Sequence, residues 1–388
     1  MKKLKIFIIS GEASGDLLGA EIIKALAAQK SHEIELIGVG GEQLTNLGIK
    51  NIFPQDELAI MGFAEVLPRI PQILKRIKQT VQAIKKYQPD IILTIDAPDF
   101  NFRVIKKLRK SGYNSSKIVH LVAPTVWAYR EYRAEKIAKL YDLLFCLLPF
   151  EPPYFEKYGL KSIFIGHPLL YKEIPAPALA PEQKYQINKK DKIILVTAGS
   201  RSNEISALSD SYIKALKQLT NKYNDLILVF PTHAKHRTKL SNLTEDLDCR
   251  IIITDDEAEK YYFMKHAYCA LAKSGTNNLE IAAAGTALIC CYKMSKLTYQ
   301  ILKRIIKIKY ANLINILAGK EIIPELIQDG CTRENIFKQL DKYLSDKKYC
   351  ENQVAAQNKY LEKFKSTSST PAKLAADALL EDMPINIK

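Results

Sequence analysis

No CxxC pair occurs among the seven cysteines of this 388-residue chain, and Cys290 and Cys291 are adjacent. That pattern disfavours zinc and dithiol redox motifs and points to reduced, mostly buried thiols in a cytosolic protein. No uncharged apolar run reaches the ~18 residues of a membrane span. The chain has no GxGxxG, which disfavours a dehydrogenase. Repeats of solenoid period and low-complexity tracts are also missing. Tryptophan occurs once, at Trp127. Acidic residues are in deficit: 42 Asp and Glu against 57 Lys and Arg leave a net charge of +15. The balance favours anionic partners (nucleic acid, acidic membrane or phosphorylated substrate), or it reflects lysine-rich genomic bias.

What is present is a hydrophobic fraction of 47% in a length that suits two domains. The opening residues resemble a signal peptide only superficially. Ile6 to Ser10 is too short for a signal core, and Glu12 and Asp16 follow at once. Leu4 to Ile9 reads instead as a strand buried on both faces of a parallel sheet. Ser10, Gly11, Glu12, Ser14, Gly15 and Asp16 then form a glycine-rich turn into a helix. The glycines either close a tight loop or let a substrate approach the backbone, and the place at a strand's carboxyl end favours the second.

Further strands are expected at 35–39, 91–95, 117–122, 143–148 and 163–166. Leu67 to Tyr87 reads as a basic amphipathic helix with Ile73, Leu74, Ile77, Val81 and Ile84 on one face. It packs on a sheet or lies on an anionic membrane. The strand Ile91–Ile95 ends in Asp96-Ala97-Pro98-Asp99. Two carboxylates there suit catalysis: one holds the loop while the other faces the ligand as a base. The alternative is that Asp99 is just the N-cap of a helix from Phe100 to Lys110. A magnesium site is disfavoured because no third acid is near. Trp127, in the loop after the next strand, lines a pocket or a lipid-facing rim. His167 reads as structural.

Residues 171–190 read as a linker, and a second strand–helix series begins at Lys192. Gly199, Ser200 and Arg201 follow its first strand, where a guanidinium can neutralise a pyrophosphate. Asp255-Asp256 reads as a helix start. Ser274 and Gly275 break a strand, Thr276 is the expected N-cap of the next helix, and Gly285 its C-terminal glycine. Such a helix N-terminus suits a phosphate. Glu280 either complements the helix dipole or accepts from two ribose hydroxyls. Leu297 to Tyr310 is a second basic amphipathic stretch. Helices are expected at 333–345 and 352–381, with a break at 366–371.

These readings imply an α/β fold of two doubly wound Rossmann-like domains facing a cleft, with C-terminal helices. The divisions expected are residues 1–170, residues 171–345, and helices at 346–388 that pack on the first domain or a dimer partner. A nucleotide on one domain and a base on the other suggest group transfer from a nucleotide-activated donor.

Several segments resemble lipid-A-disaccharide synthase, in order from about residue 5 to residue 330. They are SGEASGD (10–16), LAIMGFAEVL (58–67), IDAPDFN (95–101), APTVWAYR (123–130), LPFEPPYFEKYG (148–159), FIGHP (164–168), GSR (199–201), SGTNNLE (274–280) and NILAGKE (315–321). The resemblance implies a GT-B glycosyltransferase in lipid A biosynthesis. The implied donor is UDP-2,3-diacylglucosamine and the acceptor is 2,3-diacylglucosamine 1-phosphate. The anomeric configuration inverts, and neither cofactor nor metal is required. Asp99 resembles the family's general base, and Arg201, Glu280 and Asn315 its nucleotide-site residues. Departures stand at Ala198, Asn277, Asn278, Ile314 and Tyr129. The resemblance also implies a cytoplasmic protein peripheral to the anionic inner membrane, a homodimer through the C-terminal helices, and no nucleic acid partner. The other readings are a UDP-sugar 2-epimerase of the same fold and a non-catalytic lipid-binding protein of the membrane surface.

Overall fold

A computed structural model describes residues 2–58, 70–366 and 369–381. Most of the 58–67 motif, and the expected start of the basic helix at Leu67, therefore lie outside the described residues. The chain divides into two units, Met1–Tyr171 with Phe364–Lys388, and Lys172–Lys363.

The first unit runs β1 (Lys2–Ser10), α1 (Ala13–Ala28), β2 (His32–Val39), α2 (Glu42–Asn46), β3 (Lys50–Asn51), α3 (Ile70–Tyr87), β4 (Ile91–Ile95) and α4 (Pro98–Lys110). It continues through β5 (Lys117–Leu121), α5 (Arg133–Ala138), β6 (Leu143–Cys146), α6 (Pro152–Glu156) and β7 (Lys161–Phe164). The strands lie in the order β3-β2-β1-β4-β5-β6-β7, all parallel. Ile6 to Ile9 are fully buried because helices cover both faces of the sheet. The order reverses between β1 and β4, and a doubly wound sheet places its ligand crevice at the carboxyl ends of such a pair.

The second unit runs α7 (Pro181–Lys184), β8 (Lys192–Thr197), α8 (Ser202–Thr220), β9 (Leu226–Pro231), α9 (Arg237–Thr244), β10 (Arg250–Thr254), α10 (Glu257–His266) and β11 (Cys269–Lys273). Then come α11 (Thr276–Ala283), β12 (Leu288–Tyr292), α12 (Lys296–Ile305), α13 (Leu313–Ala318), β13 (Glu325–Ile327), α14 (Arg333–Ser345) and α15 (Lys347–Leu361). Its parallel sheet has the order β10-β9-β8-β11-β12-β13, with the reversal between β8 and β11.

Three helical expectations change. In α3, burial begins at Ile77, and Leu74, expected on the buried face, is 53% exposed. The basic amphipathic stretch expected to run to Tyr310 leaves the helix at Ile306, whose backbone is extended. Ile306, Ile308 and Tyr310 alternate with Lys307 and Lys309, a period of two rather than 3.6. The helix expected from Asn352 starts instead at Lys347, because Asp346 caps it by accepting from Tyr349 N at 3.0 Å.

Residues 346–388 also do not stay together. In the second unit, α15 donates from Gln353 Nε2 to Leu288 O and from Gln357 Nε2 to Thr286 O, each at 2.9 Å. A final helix, α16 (Pro371–Leu380), buries Ala375, Ala376 and Leu379 in the core of the first unit. The seven cysteines are unbridged, and all but Cys249 are buried. Among the described residues no helix is long and apolar enough to cross a membrane.

Candidate functional site

In the first unit the site starts where β1 and β4 end, with Ser10 paired to Ile95. Asp96 and Ala97 follow with φ of 49° and 42°. Two consecutive non-glycine residues in the left-handed region cost ~1–3 kcal/mol each. The turn is held by Asn101, whose Nδ2 donates to Asp96 O at 2.7 Å. Burial pushes the Asp96 carboxyl up from its ordinary value. Pro98 opens α4, so Asp99 is its second residue and not its N-cap, which is Ala97. The Asp99 side chain is 91% exposed, and its Oδ1 lies 3.7 Å from Arg133 Nη2.

The glycine turn packs against this loop. A Cβ on Gly11 would sit 2.3 Å from Ala97 Cβ, and one on Gly15 would meet Ile95 at 3.1 Å. These glycines therefore serve close backbone packing, the tight-loop reading. Ser10 is fully buried, and its hydroxyl donates to Glu12 O. Gln55 Nε2 clamps the same turn, donating to Ser10 Oγ at 2.9 Å and to Glu12 O at 3.1 Å. Asp16, the last residue of the expected acceptor-side loop, is turned inward. Its carboxylate accepts from Gly41 N at 2.7 Å, Gln43 N at 2.8 Å and Leu44 N at 3.3 Å, and so satisfies the start of α2. Ser14 is exposed in the first turn of α1.

Trp127 is half-buried. Its Nε1–H donates to Glu151 Oε1 at 3.1 Å, and its ring meets Phe150 edge-on at 5.2 Å. Glu151 is 3% exposed, also accepts from Leu148 N, and is pushed up to about 7 chiefly by burial. The loops after β4, β5 and β6 are thus joined in series through Asp99–Arg133 and Trp127–Glu151.

In the second unit, β8 and β11 end in two loops drawn together by side chains. Asn277 Nδ2 donates to Thr197 Oγ1 at 2.7 Å, and Lys273 Nζ lies 2.9 Å from Glu204 Oε1. Gly199 has φ of 119°, and a Cβ there would strike Glu204 at 2.7 Å. Glu204 also accepts from Ser200 N at 3.1 Å and lies 3.3 Å from Arg201 Nη1. Burial opposes the charge of Glu204, but Lys273 holds its carboxyl below the ordinary range. The Arg201 side chain is 61% exposed.

Thr276 is the first residue of α11 rather than its cap. Gly275 occupies the cap position with extended backbone, and no side chain caps the helix. Gly285 takes the positive φ, 86°, expected just past its end. A pocket of 200 Å³ opens beside this N-terminus, lined by Ser274, Gly275, Thr276, Asn278, Asn312 and Leu313 among others. Backbone N–H groups at a helix start give such a pocket a positive character. One turn further, Glu280 accepts from Tyr261 OH at 2.7 Å and from Lys260 Nζ at 2.9 Å.

Asn315, expected at the nucleotide site, is fully buried and saturated. Its Nδ2 donates to Ile323 O and Glu325 Oε1, and its Oδ1 accepts from Ile322 N and Ile323 N. It braces the loop from α13 to β13, while its neighbour Asn312 lines the pocket. Asp256 caps α10 as expected, accepting from Glu259 N at 2.9 Å. The backbone N–H of His167 donates to Phe364 O at 2.8 Å. Among the described residues no group of three His, Cys, Asp or Glu side chains could hold a metal ion.

The residues that sequence reasoning missed are Gln55, Glu204, Tyr261, Lys260, Lys273 and Asn312. Lys273 adjoins the Ser274 motif and Glu204 follows the Arg201 loop, so adjacency marks both. Nothing local marks Gln55 or Tyr261, whose partners lie 45 and 19 residues away.

The model of the family described as lipid-A-disaccharide synthetase matches residues 6–379. A lipid-A-disaccharide synthase of Rickettsia akari is 39% identical over 97% of this chain and 96% of its own. Among solved structures, the UDP-GlcNAc 2-epimerase of Neisseria meningitidis bound to UDP-GlcNAc superposes with a TM-score of 0.64 at 17% identity, covering 98% of this chain and all of that one. CalG4, the calicheamicin glycosyltransferase, gives a TM-score of 0.60 at 14% identity, covering 99% of this chain and all of that one. At such identities the two structures show the fold alone, the GT-B pair of Rossmann-like domains.

Proposed function

The chain belongs to the lipid-A-disaccharide synthase family, glycosyltransferases of lipid A biosynthesis, and from that premise we propose its substrates, stereochemistry and site roles. The donor is UDP-2,3-diacylglucosamine and the acceptor is 2,3-diacylglucosamine 1-phosphate. The products are the tetraacyl disaccharide 1-phosphate and UDP. The match of the family model to residues 6–379 carries this reading.

Asp99 takes the proton of the acceptor's 6-hydroxyl. The freed oxygen bonds to the donor's anomeric carbon from the face opposite UDP, the bond to the diphosphate oxygen breaks, and the configuration inverts. Support comes from the place of Asp99 at the carboxyl end of β4, exposed and beside Arg133. Gly199, Ser200, Arg201, Ser274, Gly275 and Thr276 receive the diphosphate, and the guanidinium and helix N-terminus stabilise its growing charge. Glu280 takes the ribose hydroxyls. Asn315 acts by shaping the wall that Asn312 presents. Trp127 and the Ser10–Asp16 turn shape the acceptor side.

The protein works in the cytoplasm at the inner-membrane surface, as a homodimer. Exposed Leu74, Ile305 and Ile306 on basic α3 and at the end of α12 support the membrane reading. Mass spectrometry of the products from the two lipid substrates, with and without EDTA, tests the reaction. The disaccharide in both arms is expected. No disaccharide would reject the substrates, and loss with EDTA alone would reject a metal-free reaction.

A further inference from the structure

Glu280 does not stand alone. Tyr261, on the neighbouring helix α10, is 6% exposed and donates its hydroxyl to Glu280 Oε1 at 2.7 Å. Lys260 Nζ donates to the other carboxylate oxygen at 2.9 Å. Behind the phenol, Lys172 Nζ lies 3.3 Å from the Tyr261 oxygen and 2.6 Å from Glu257 Oε1. The Tyr261 ring is flanked by both ammonium groups, with Lys260 at 4.9 Å and Lys172 at 5.0 Å from its centroid.

Each oxygen of Glu280 thus accepts one bond from α10. A carboxylate offers about four lone-pair sites, so about two remain, one on each oxygen. Their directions are set by the orientation of the carboxylate plane, and two donors on separate oxygens fix that plane. A pair of vicinal hydroxyls presents two O–H groups at a spacing one carboxylate can match. Lys260 alone leaves the carboxylate free to turn about a single ion pair, whereas the tyrosine hydroxyl, on a rigid buried ring, pins the second oxygen.

We infer that Tyr261 is a positioning residue for ribose recognition: it orients Glu280 so that the enzyme distinguishes a ribonucleotide from its deoxy counterpart. Lys172 supports it by donating to the phenol oxygen, which polarises the hydroxyl toward Glu280. The inference rests on the proposal that Glu280 takes the ribose, and deepens it by assigning a selectivity that Glu280 shares with α10.

The test is calorimetric titration of the full-length protein with UDP, 2′-deoxy-UDP and 3′-deoxy-UDP. The wild type is expected to bind UDP ~10-fold or more tightly than at least one deoxy analogue, as befits hydrogen bonds to a charged acceptor. Glu280→Gln should remove most of that preference. Tyr261→Phe, which keeps the ring, should lower it ~fivefold or more, mainly by weakening UDP and with little change for the deoxy analogue. Lys172→Met should move it the same way by ~twofold, and it provides a second arm that leaves the tyrosine in place.

If Glu280→Gln keeps the full preference, the ribose role of Glu280 fails, and this inference fails with it. If Glu280→Gln loses the preference while Tyr261→Phe and Lys172→Met keep it, only the role of Tyr261 falls. Equal weakening of UDP and its deoxy analogues in Tyr261→Phe would mark Tyr261 as mere packing and overturn the inference.

Discussion

The strand ends of the two units solve different problems. In the first, polar groups around the β1–β4 reversal are largely spent on backbone: Asp16 on α2, Gln55 on the carbonyls of Ser10 and Glu12, and Asn101 on the Asp96 turn. One carboxylate, Asp99, is left exposed on a stiff platform. In the second, side chains pair with side chains: Lys273 with Glu204, Asn277 with Thr197, and Lys260 and Tyr261 with Glu280. The base proposed at Asp99 would need to be held at one place, which backbone hydrogen bonds and close glycine contacts suit. The diphosphate proposed for the second unit would arrive with its own charge, and a network of ion pairs can re-partner around it.

The contrast is broken most sharply at Asp99. Asp99→Ala should lower turnover ~10²–10⁴-fold, the range of a lost general base, with UDP affinity nearly unchanged. Near-normal steady-state turnover would remove it from the chemistry. Next is Asn315, which behaves like the first unit's braces although it lies in the second. Asn315→Ala strands Ile322 N and Ile323 N and should cost about 3 kcal/mol in urea unfolding. Loss of UDP binding at full stability would restore Asn315 to direct contact.

Glu151 tests whether the Trp127 loop belongs to the rigid side. Its carboxyl is raised from 4.5 to about 7, chiefly by burial. The folded chain therefore holds a proton there that the unfolded chain releases. Its contribution is complete below about pH 4.5 and is lost as pH rises through about 7. The wild type should lose up to about 3 kcal/mol more than Glu151→Gln between those limits. Parallel unfolding curves for the two proteins across this pH range would refute the shift. The smallest effect is expected at exposed Arg201. Arg201→Ala should weaken UDP ~10-fold, one charge-assisted contact, with unfolding unchanged. An unchanged UDP titration would exclude it from the diphosphate site.

Much of the architecture was legible in the residues. Ile91–Ile95 is a strand at the expected limits, because a short apolar run between turn signals has few other ways to be buried. The helix ends were less legible. Thr276 looks like a cap, yet the chain uses Gly275, whose extended backbone needs no side chain to start the turn. Glu204 and Lys273 could be suspected only as neighbours of Arg201 and Ser274.

By itself the sequence determined the two strand–helix series, the loops at their carboxyl ends and the family motifs within them. Apolar period and glycine placement act over a few residues, and so can be read locally. Which polar side chains are committed inward was decided only by the tertiary structure. Asp16 finds its amides 25 to 28 residues along the chain, and Tyr261 meets Glu280 from another helix. A buried carboxylate or amide must satisfy its hydrogen bonds wherever the fold brings a partner, and no local pattern records where that is.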